Sequence, residues 1–210
     1  MTEVCCEFRV PSANFPRETL WHAEFSARGL RRLAVMLRKG PVHAATSAAC
    51  DPRCKDLREK LAARLNGKDA GFDWTQLDLE GHPEFHRRVW KAMCQIPFGS
   101  VATYAEVAAR AGSPLAFRAC GQACGANPIL VFIPCHRVVA AHGLGGFGCG
   151  LDWKKRLLAA ERIDYRAIGS AGDRRTKDFR DAKVSHLYSA DENANFDVKL
   201  IKNVKCTKSH

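Results

Sequence analysis

Residues 129–139 read ILVFIPCHRVV, and this stretch decides how the C-terminal half of the chain is interpreted. The apolar run from Ile129 to Ile133 predicts a buried strand, and Pro134 follows its end. A cysteine directly after a buried strand and a proline is held rigidly at the edge of a core. Cys135 is therefore a candidate nucleophile, and such a nucleophile needs a group that can take its proton.

His136 is the first candidate for that role. A free thiol with a pKa of about 8.5 is only a few per cent ionised at neutral pH, and a basic neighbour can raise that fraction. Adjacent side chains point apart in extended backbone, so His136 is better placed to reach Cys135 through a turn or a bridging water than directly. Glu161 is a candidate to orient the imidazole. The alternative is a structural Cys–His pair without reactivity.

The segment before this stretch predicts consecutive short helices. Pro83 suits the first turn of a helix, and an apolar stripe follows at helical spacing, formed by Phe85, Val89, Met93 and Ile96. Thr103 and Glu106 make a capping box, which predicts a second helix from Thr103 to about residue 111. Gly112 ends this helix.

A third helix is predicted to start directly afterwards, with Ser113 as its cap and Pro114 at its first position. The result is the outline of a helix–turn–helix whose second helix carries Arg118. Small residues follow Arg118, and they either let the helix approach DNA closely or simply allow tight packing: Ala119, Cys120, Gly121, Ala123, Cys124 and Gly125.

A glycine-rich loop around Phe147 occupies residues 143–150. It lacks the Gly-Lys-Ser/Thr ending of a phosphate-binding loop, so that interpretation is rejected. A last helix is predicted from Asp152, and Glu161 lies near its end. From residue 166 onward the hydrophobic periodicity fades, which predicts a poorly ordered polar tail.

The N-terminal half is predicted to be a mixed α/β unit. Strands are expected at 21–25 and 72–79, and helices at 30–37 and 55–65. Its cysteines include the adjacent pair Cys5 and Cys6 and the pair Cys50 and Cys54, four residues apart. A structural zinc site usually has two tight ligand pairs at regular spacing, so buried or incidental thiols are preferred over a metal site.

Composition limits the function classes. The chain of 210 residues carries 33 Lys and Arg against 22 Asp and Glu, a formal charge of +11, which suits a polyanion or is only a basic surface. No stretch has the length and apolarity of a membrane span, and the N-terminus lacks the layout of a secretory signal. We therefore expect a soluble intracellular protein, cytoplasmic in bacteria or archaea and nuclear in eukaryotes.

The block 134–139 closely resembles the active-site signature of the O6-alkylguanine-DNA alkyltransferases, also called methylated-DNA–protein-cysteine methyltransferases. Flanking segments that match in family order are 85–90, 96–99, Tyr104, Glu106, 118–119, 127–128 and 145–148. The resemblance covers roughly residues 81–162. It is weaker over the N-terminal half, where only 21–37 looks similar, and it is absent from the tail.

The resemblance implies a role for each matching residue. Cys135 is the alkyl acceptor, His136 acts as its base through a water, and Glu161 orients the histidine. Asn127 braces the turn before the acceptor, although an ordinary Asn-Pro turn is an equal alternative. Tyr104 donates a hydrogen bond to the extruded guanine, with a packed aromatic as its alternative.

DNA contact and the base pocket are implied in the same way. Arg118 fills the gap that the extruded nucleotide leaves, and the helix that carries it lies in the minor groove. The full set of implied DNA contacts is Thr103, Tyr104, Ser113, Arg118, Ala119 and Gly121. The implied pocket residues are Tyr104, Val138, Phe147, Gly148 and Cys149. Many members have serine at position 148 and glycine at 149, and the helix also varies at Gln122 and Gly125.

The sequence thus predicts an α+β protein. A ribonuclease-H-like α/β domain at 1–80, with a structural role, precedes a mainly helical, winged-helix-like domain at 81–165 and a tail at 166–210. The predicted function is single-turnover transfer of the alkyl group from O6-methylguanine, with O4-methylthymine as a further substrate, to Cys135. The expected partner is double-stranded DNA, the expected state is a monomer, and neither a cofactor nor a metal is expected. Alternatives are a non-transferring sensor or regulator of helix–turn–helix type, and a cysteine hydrolase.

Overall fold

A computed structural model describes residues 4–15, 19–36 and 51–168 of the chain. Its N-terminal part is an antiparallel sheet of three strands, β1 (Val4–Arg9), β2 (Leu20–Phe25) and β3 (Leu30–Met36), in the order β1-β2-β3. The predicted strand at 21–25 is confirmed as β2. The predicted helix at 30–37 is wrong, because residues 30–36 pair with β2. Two buried leucines three residues apart, Leu30 and Leu33, imitate helical spacing in β3, where a register shift interrupts the pairing.

Helix α1 (Pro52–Leu65) confirms the predicted helix and begins one turn earlier than expected. Asp51 caps it by accepting a hydrogen bond from the Arg53 backbone N–H at 2.8 Å. The helix turns one face to the core, formed by Cys54, Leu57, Leu61 and Leu65. The predicted strand at 72–79 is wrong, because Asp73 caps a short 3-10 turn at Trp74–Gln76. Only a single parallel bridge, between Leu77 and Leu30, is strand-like in this segment.

Three helices form the centre of the second half: α2 (Glu84–Cys94), α3 (Tyr104–Arg110) and α4 (Phe117–Gly125). The predicted capping box of α3 is confirmed, since Glu106 and Thr103 bond each other's backbone N–H. Helix α2 holds α4 through the Trp90 indole, which donates to the Ala123 carbonyl at 2.8 Å. Helices α3 and α4 pack together as the expected helix–turn–helix.

The predicted start of α4 is wrong by about one turn. Ser113 does not cap the helix; its carbonyl accepts the Ala116 N–H at 2.9 Å and closes the turn between α3 and α4. The helix begins at Phe117, and its N-cap residue Ala116 has no side-chain hydrogen bond. A proline at position 114 suits such a turn as well as it suits a helix start, so the sequence did not distinguish the two.

The apolar run at 129–133 is buried, as predicted, but it is not a strand. Val131 has a left-handed backbone (φ 73), and successive tight turns place the Ile133 N–H on the Ile129 carbonyl at 3.1 Å. Burial of an apolar run does not require a strand when its backbone groups find partners in turns. Just after it, β5 (Val138–Val139) pairs in parallel with β4 (Ala102–Thr103).

Helix α5 (Leu151–Ala160) confirms the last predicted helix, and Glu161 stands at its C-cap. A short 3-10 turn (Tyr165–Ala167) follows, and Ile168 is buried. The predicted tail therefore starts too early at 166; its remainder, 169–210, lies outside the described residues. The structure is a mixed α+β fold. One core cluster contains side chains from both halves, among them Leu33, Leu61, Trp90 and Ile133, and the domain boundary at 80/81 stays a prediction.

Candidate active site

Cys135 is buried at the start of a 3-10 turn, Cys135–Arg137. The Asn127 amide donates to the Cys135 sulfur at 3.1 Å and to the Ile133 carbonyl at 2.8 Å. The same side chain accepts the Ile129 N–H at 3.0 Å. Asn127 therefore ties both ends of the 129–135 turn together and fixes the sulfur relative to the end of α4.

Cys135 is a protonated thiol at rest. Burial raises its pKa to about 11, and the hydrogen bond from Asn127 and the charge of Lys154 offset only part of that effect. The histidine beside Cys135 therefore does not keep the thiol ionised at rest. For Cys135 to act as a nucleophile its proton must leave, so such a role needs a base and a charge that stabilises the thiolate.

His136 is fully inside the protein and bonds Glu161, with Nε2 of the imidazole 2.8 Å from Oε1. Burial lowers the pKa of His136, although the hydrogen bond to Glu161 opposes this, so the ring is neutral at neutral pH. Within the described part of the chain its Nδ1 is buried without a hydrogen-bond partner. A neutral imidazole with one nitrogen held by a carboxylate has its other nitrogen available as a base.

Glu161 is the centre of a buried ionic cluster. Arg137 donates to both of its oxygens, with Nε 2.9 Å from Oε2 and Nη2 2.9 Å from Oε1, and the Gly99 N–H donates at 3.2 Å. Arg137 is itself fixed by the Ile96 carbonyl at 2.7 Å. Burial alone would raise the pKa of Glu161, but the hydrogen bonds from His136 and Arg137 lower it to about 2. The carboxylate is therefore ionised, and it aligns His136.

Lys154 is a residue of this site that sequence reasoning missed. It is fully buried on α5, and its ammonium donates to the carbonyls of Val138 at 2.6 Å, Leu144 at 2.5 Å and Gly146 at 3.2 Å. Burial lowers its pKa to about 8, whereas the neighbouring thiols Cys135 and Cys124 raise it. The signal was faint, because lysine 154 is one of two adjacent lysines at the start of a helix.

Tyr104 begins α3, and its hydroxyl bonds the backbone of Gly146. Burial raises the pKa of Tyr104 to about 12, so its hydroxyl keeps its proton. Among the other predicted pocket residues Val138 is buried, Phe147 and Cys149 are half-buried, and Gly148 is exposed. Cys149 is close enough to raise the pKa of Cys135. The structure thus brings Tyr104, the glycine-rich loop and Cys135 together.

Gly145→Ala is expected to destabilise the protein by about 1–3 kcal/mol. Gly145 has a left-handed backbone (φ +68), and an added Cβ would lie 2.9 Å from Cε2 of Tyr104. Urea unfolding measures the change. Gly146→Ala is the matched control, since a Cβ there meets nothing within 4 Å. Equal stability of the two variants would contradict the close approach of loop and Tyr104.

The predicted DNA-contact residues differ in their exposure and in their local contacts. Arg118 is exposed on the first turn of α4, and Ala119 and Gly121 are half-buried. A Cβ on Gly121 would lie 3.9 Å from the Tyr104 ring, so this glycine is near the pocket as well. Ser113 belongs to the turn, and the Thr103 hydroxyl serves the capping box.

Other parts of the described structure do not supply a competing site. No three His, Cys, Asp or Glu side chains in residues 4–15, 19–36 and 51–168 are grouped so as to hold a metal ion. The side chains of Cys6 and Cys54 bond each other, and Cys50 lies outside these ranges. A surface cleft of about 660 Å³, lined by Arg28, Asp78 and Arg87 among others, contains none of the predicted site residues. No helix in the same ranges is long and apolar enough to cross a membrane.

Comparison with known proteins gives a consistent result. Residues 84–163 match the family described as 6-O-methylguanine DNA methyltransferase, DNA binding domain. A methylated-DNA–protein-cysteine methyltransferase of Mycolicibacterium paratuberculosis is 50% identical over 105 residues, which are 50% of this chain and 62% of that protein. One of Methanosarcina barkeri is 43% identical over 113 residues, 53% of this chain and 70% of that protein.

Solved structures agree. OGT of Mycobacterium tuberculosis in complex with DNA superimposes with a TM-score of 0.60 and 33% identity, covering 73% of this chain and 91% of that one. An O6-methylguanine DNA methyltransferase from Methanococcus jannaschii gives 0.55 and 30%, covering 71% and 92%. Fold and sequence therefore indicate one class, the DNA alkyltransferases. The chain belongs to the methylated-DNA–protein-cysteine methyltransferase family.

Proposed function

We propose that this protein repairs double-stranded DNA by moving the alkyl group from O6 of an alkylated guanine to the sulfur of Cys135, with O4-methylthymine as a further substrate. The observation that carries the proposal is the environment of Cys135, a buried thiol fixed at 3.1 Å by Asn127 and flanked by the His136–Glu161 pair. Membership of the family supports the same reaction.

The transfer is an in-line displacement at the alkyl carbon. The bond from sulfur to carbon forms while the bond from carbon to O6 breaks, and guanine is the leaving group. His136, aligned by Glu161, takes the thiol proton through a water, and the buried charge of Lys154 favours the thiolate. Tyr104, which keeps its hydroxyl proton, donates a hydrogen bond that stabilises the negative charge developing on the departing guanine, and the base then takes a proton from water and leaves as neutral guanine.

The product sets the stoichiometry. A thioether is not readily hydrolysed, so each molecule acts once. The target base must leave the stack to meet a buried thiol, and we assign to Arg118, which is exposed on the first turn of α4, the role of filling the gap. We assign a monomer as the working unit. We further assign a ribonuclease-H-like fold with a structural role to the N-terminal half, and a winged-helix-like fold that binds DNA to the helical half.

Mass spectrometry tests the function directly. After incubation with a duplex that contains O6-methylguanine, the peptide carrying Cys135 should gain one methyl group, and Cys135→Ala should gain none. Tight binding of the duplex with an unmodified Cys135 would instead identify a damage sensor or regulator, which is the second candidate. Sensors of this type lack the acceptor cysteine, so the presence of Cys135 argues against that candidate. Turnover of an ester or peptide substrate would identify a hydrolase.

The rate of transfer is expected to rise from pH 6 to about pH 8, near which Lys154 begins to lose the charge that favours the thiolate. Cys135 has a pKa of about 11 because of burial, so its thiolate fraction grows with pH throughout this range. At more acid pH the rate should fall further, since His136 loses its role as base when protonated, and burial lowers its pKa so that this loss lies on the acid side of the usual range of histidine. Single-turnover transfer with protein at saturating concentration measures this profile; a flat profile would show that thiol ionisation does not limit the rate.

A further inference from the structure

Two large apolar side chains are exposed beside Arg118. Leu115, in the turn before α4, is 91% exposed, and Phe117, the first residue of α4, is 49% exposed. Among the described residues only one other large apolar side chain, Leu151, is exposed. Single exposed apolar residues are ordinary, but two of them within three positions on the tip of a helix–turn–helix form a local apolar surface.

The position of Phe117 connects this surface with Arg118. The two residues are consecutive on the first turn of α4, and the Arg118 guanidinium lies 5.9 Å from the centre of the Phe117 ring. Any partner that draws Arg118 away from the ring must therefore meet Phe117 as well. No side chain caps the first backbone N–H groups of α4.

Charge identifies the partner. No Asp or Glu occurs from residue 107 to residue 151, a segment that contains Arg110, Arg118 and all of α4. This surface combines exposed apolar side chains with an adjacent arginine, and its segment of the sequence contains no carboxylate. Duplex DNA matches these properties, since its phosphates are negatively charged and its stacked bases are apolar. Apolar side chains of this kind unstack base steps when they enter the minor groove.

We propose that Phe117 and Leu115 form an apolar wedge that enters the minor groove next to the extruded nucleotide. Phe117 stacks into the base step adjacent to the gap that Arg118 fills, and Leu115 contacts the deoxyribose beside it. This inference rests on the proposed function, because it adds residues to the DNA contact of that reaction. The wedge holds the neighbouring step open and slows the return of the base into the stack.

The wedge is tested with a duplex that carries 2-aminopurine next to O6-methylguanine, since 2-aminopurine fluoresces more strongly when its stacking is broken. Cys135→Ala is the background for this measurement, so the signal is independent of transfer. Phe117→Ala should remove more than half of the fluorescence rise and weaken duplex binding about tenfold, and Leu115→Ala should weaken it several-fold. Phe117→Leu should retain part of both effects.

The full-length protein with its acceptor cysteine supplies the second measurement. The ratio of transfer from the duplex to transfer from the free base O6-benzylguanine should fall about tenfold in Phe117→Ala, because only the duplex uses the wedge. Leu151→Ala, which removes a comparably exposed side chain from the start of α5, is the matched control and should keep the wild-type ratio.

Three results would overturn the wedge. The first is an unchanged fluorescence rise in Phe117→Ala, and the second is an equal loss in Leu151→Ala. The third is a concentration-dependent dimer of the wild type that Phe117→Ala abolishes while duplex binding stays the same, which would assign the surface to a second copy of the chain. Absence of methyl transfer by the wild type would reject the proposed function, whereas the fluorescence signal would still decide the wedge.

Discussion

Replacing Glu161 with glutamine is expected to destabilise the protein by about 3–5 kcal/mol and to slow transfer on the order of a hundredfold. The carboxylate bonds His136, Arg137 and the Gly99 backbone in a buried setting. Glutamine keeps the size but leaves the buried Arg137 guanidinium without its counter-charge, and it no longer aligns a neutral histidine as base. Urea unfolding and single-turnover transfer measure the two effects.

A double-mutant cycle provides the control for this prediction. Arg137→Met leaves the carboxylate without its bidentate partner, and the double variant Glu161→Gln/Arg137→Met removes both charges together. Because each single change strands one buried charge, the double variant should lose clearly less stability than the sum of the single changes. Additive losses would show that the two charges do not depend on each other.

The same carboxylate makes stability depend on pH in a defined window. Its pKa is about 2 in the folded protein and about 4.3 in an unfolded chain, so its ionised form stabilises the fold by about 3 kcal/mol above pH 4.3. The lowered pKa means that this stabilisation is lost as the pH falls from 4.3 toward 2. The difference in unfolding free energy between wild type and Glu161→Gln should shrink across that window and remain constant above it.

Lys154→Met is expected to cost about 2–4 kcal/mol of stability and to reduce transfer strongly. Methionine fills most of the same space but leaves the carbonyls of Val138, Leu144 and Gly146 without the ammonium that now binds them. It also removes a positive charge that lowers the pKa of Cys135. The thiol should therefore become harder to ionise, and the loop that faces it should be less fixed.

The adjacent lysine is a matched control for this change. Lys155 is only partly buried, and its ammonium lies 3.8 Å from the exposed Asp152 carboxylate, so Lys155→Met should alter stability by less than about 0.5 kcal/mol. The rate at which Cys135 reacts with iodoacetamide as a function of pH reports on its ionisation separately from DNA binding. An unchanged pH profile in Lys154→Met would show that the ammonium acts only by holding the loop.

The sequence was most informative where local rules agree with packing. Thr103 and Glu106 specify a helix start through two reciprocal hydrogen bonds, and the structure confirms it. Cys135 and His136 were candidates from the chemistry of residues 134–136 and Glu161 from the need for a carboxylate, while the resemblance implied their roles; the structure places His136 and Glu161 in direct contact. Cys135 and His136 could be found because they are neighbours in one short motif.

Other features depend on partners distant in sequence, and local patterns could not reveal them. Residues 30–36 form a strand because β2 offers a pairing edge, and the 129–133 run forms turns because Asn127 satisfies its backbone. Lys154 is functional only through the carbonyls it reaches from α5. The pKa of Cys135 is raised because the thiol is completely buried, and this degree of burial cannot be predicted from the neighbouring residues in the sequence.

The turn that carries the acceptor is joined to strand β3 by backbone hydrogen bonds. The Leu33 N–H donates to the Pro128 carbonyl at 2.9 Å, and the Leu130 N–H donates to the Leu33 carbonyl at 3.0 Å. A helical half separated from β3 would leave the Pro128 carbonyl and the Leu130 N–H without these partners, and the turn that positions the thiol would lose part of its support. Because these bonds join backbone groups, the acceptor turn tolerates changes of side chain in β3 but depends on the presence of that strand.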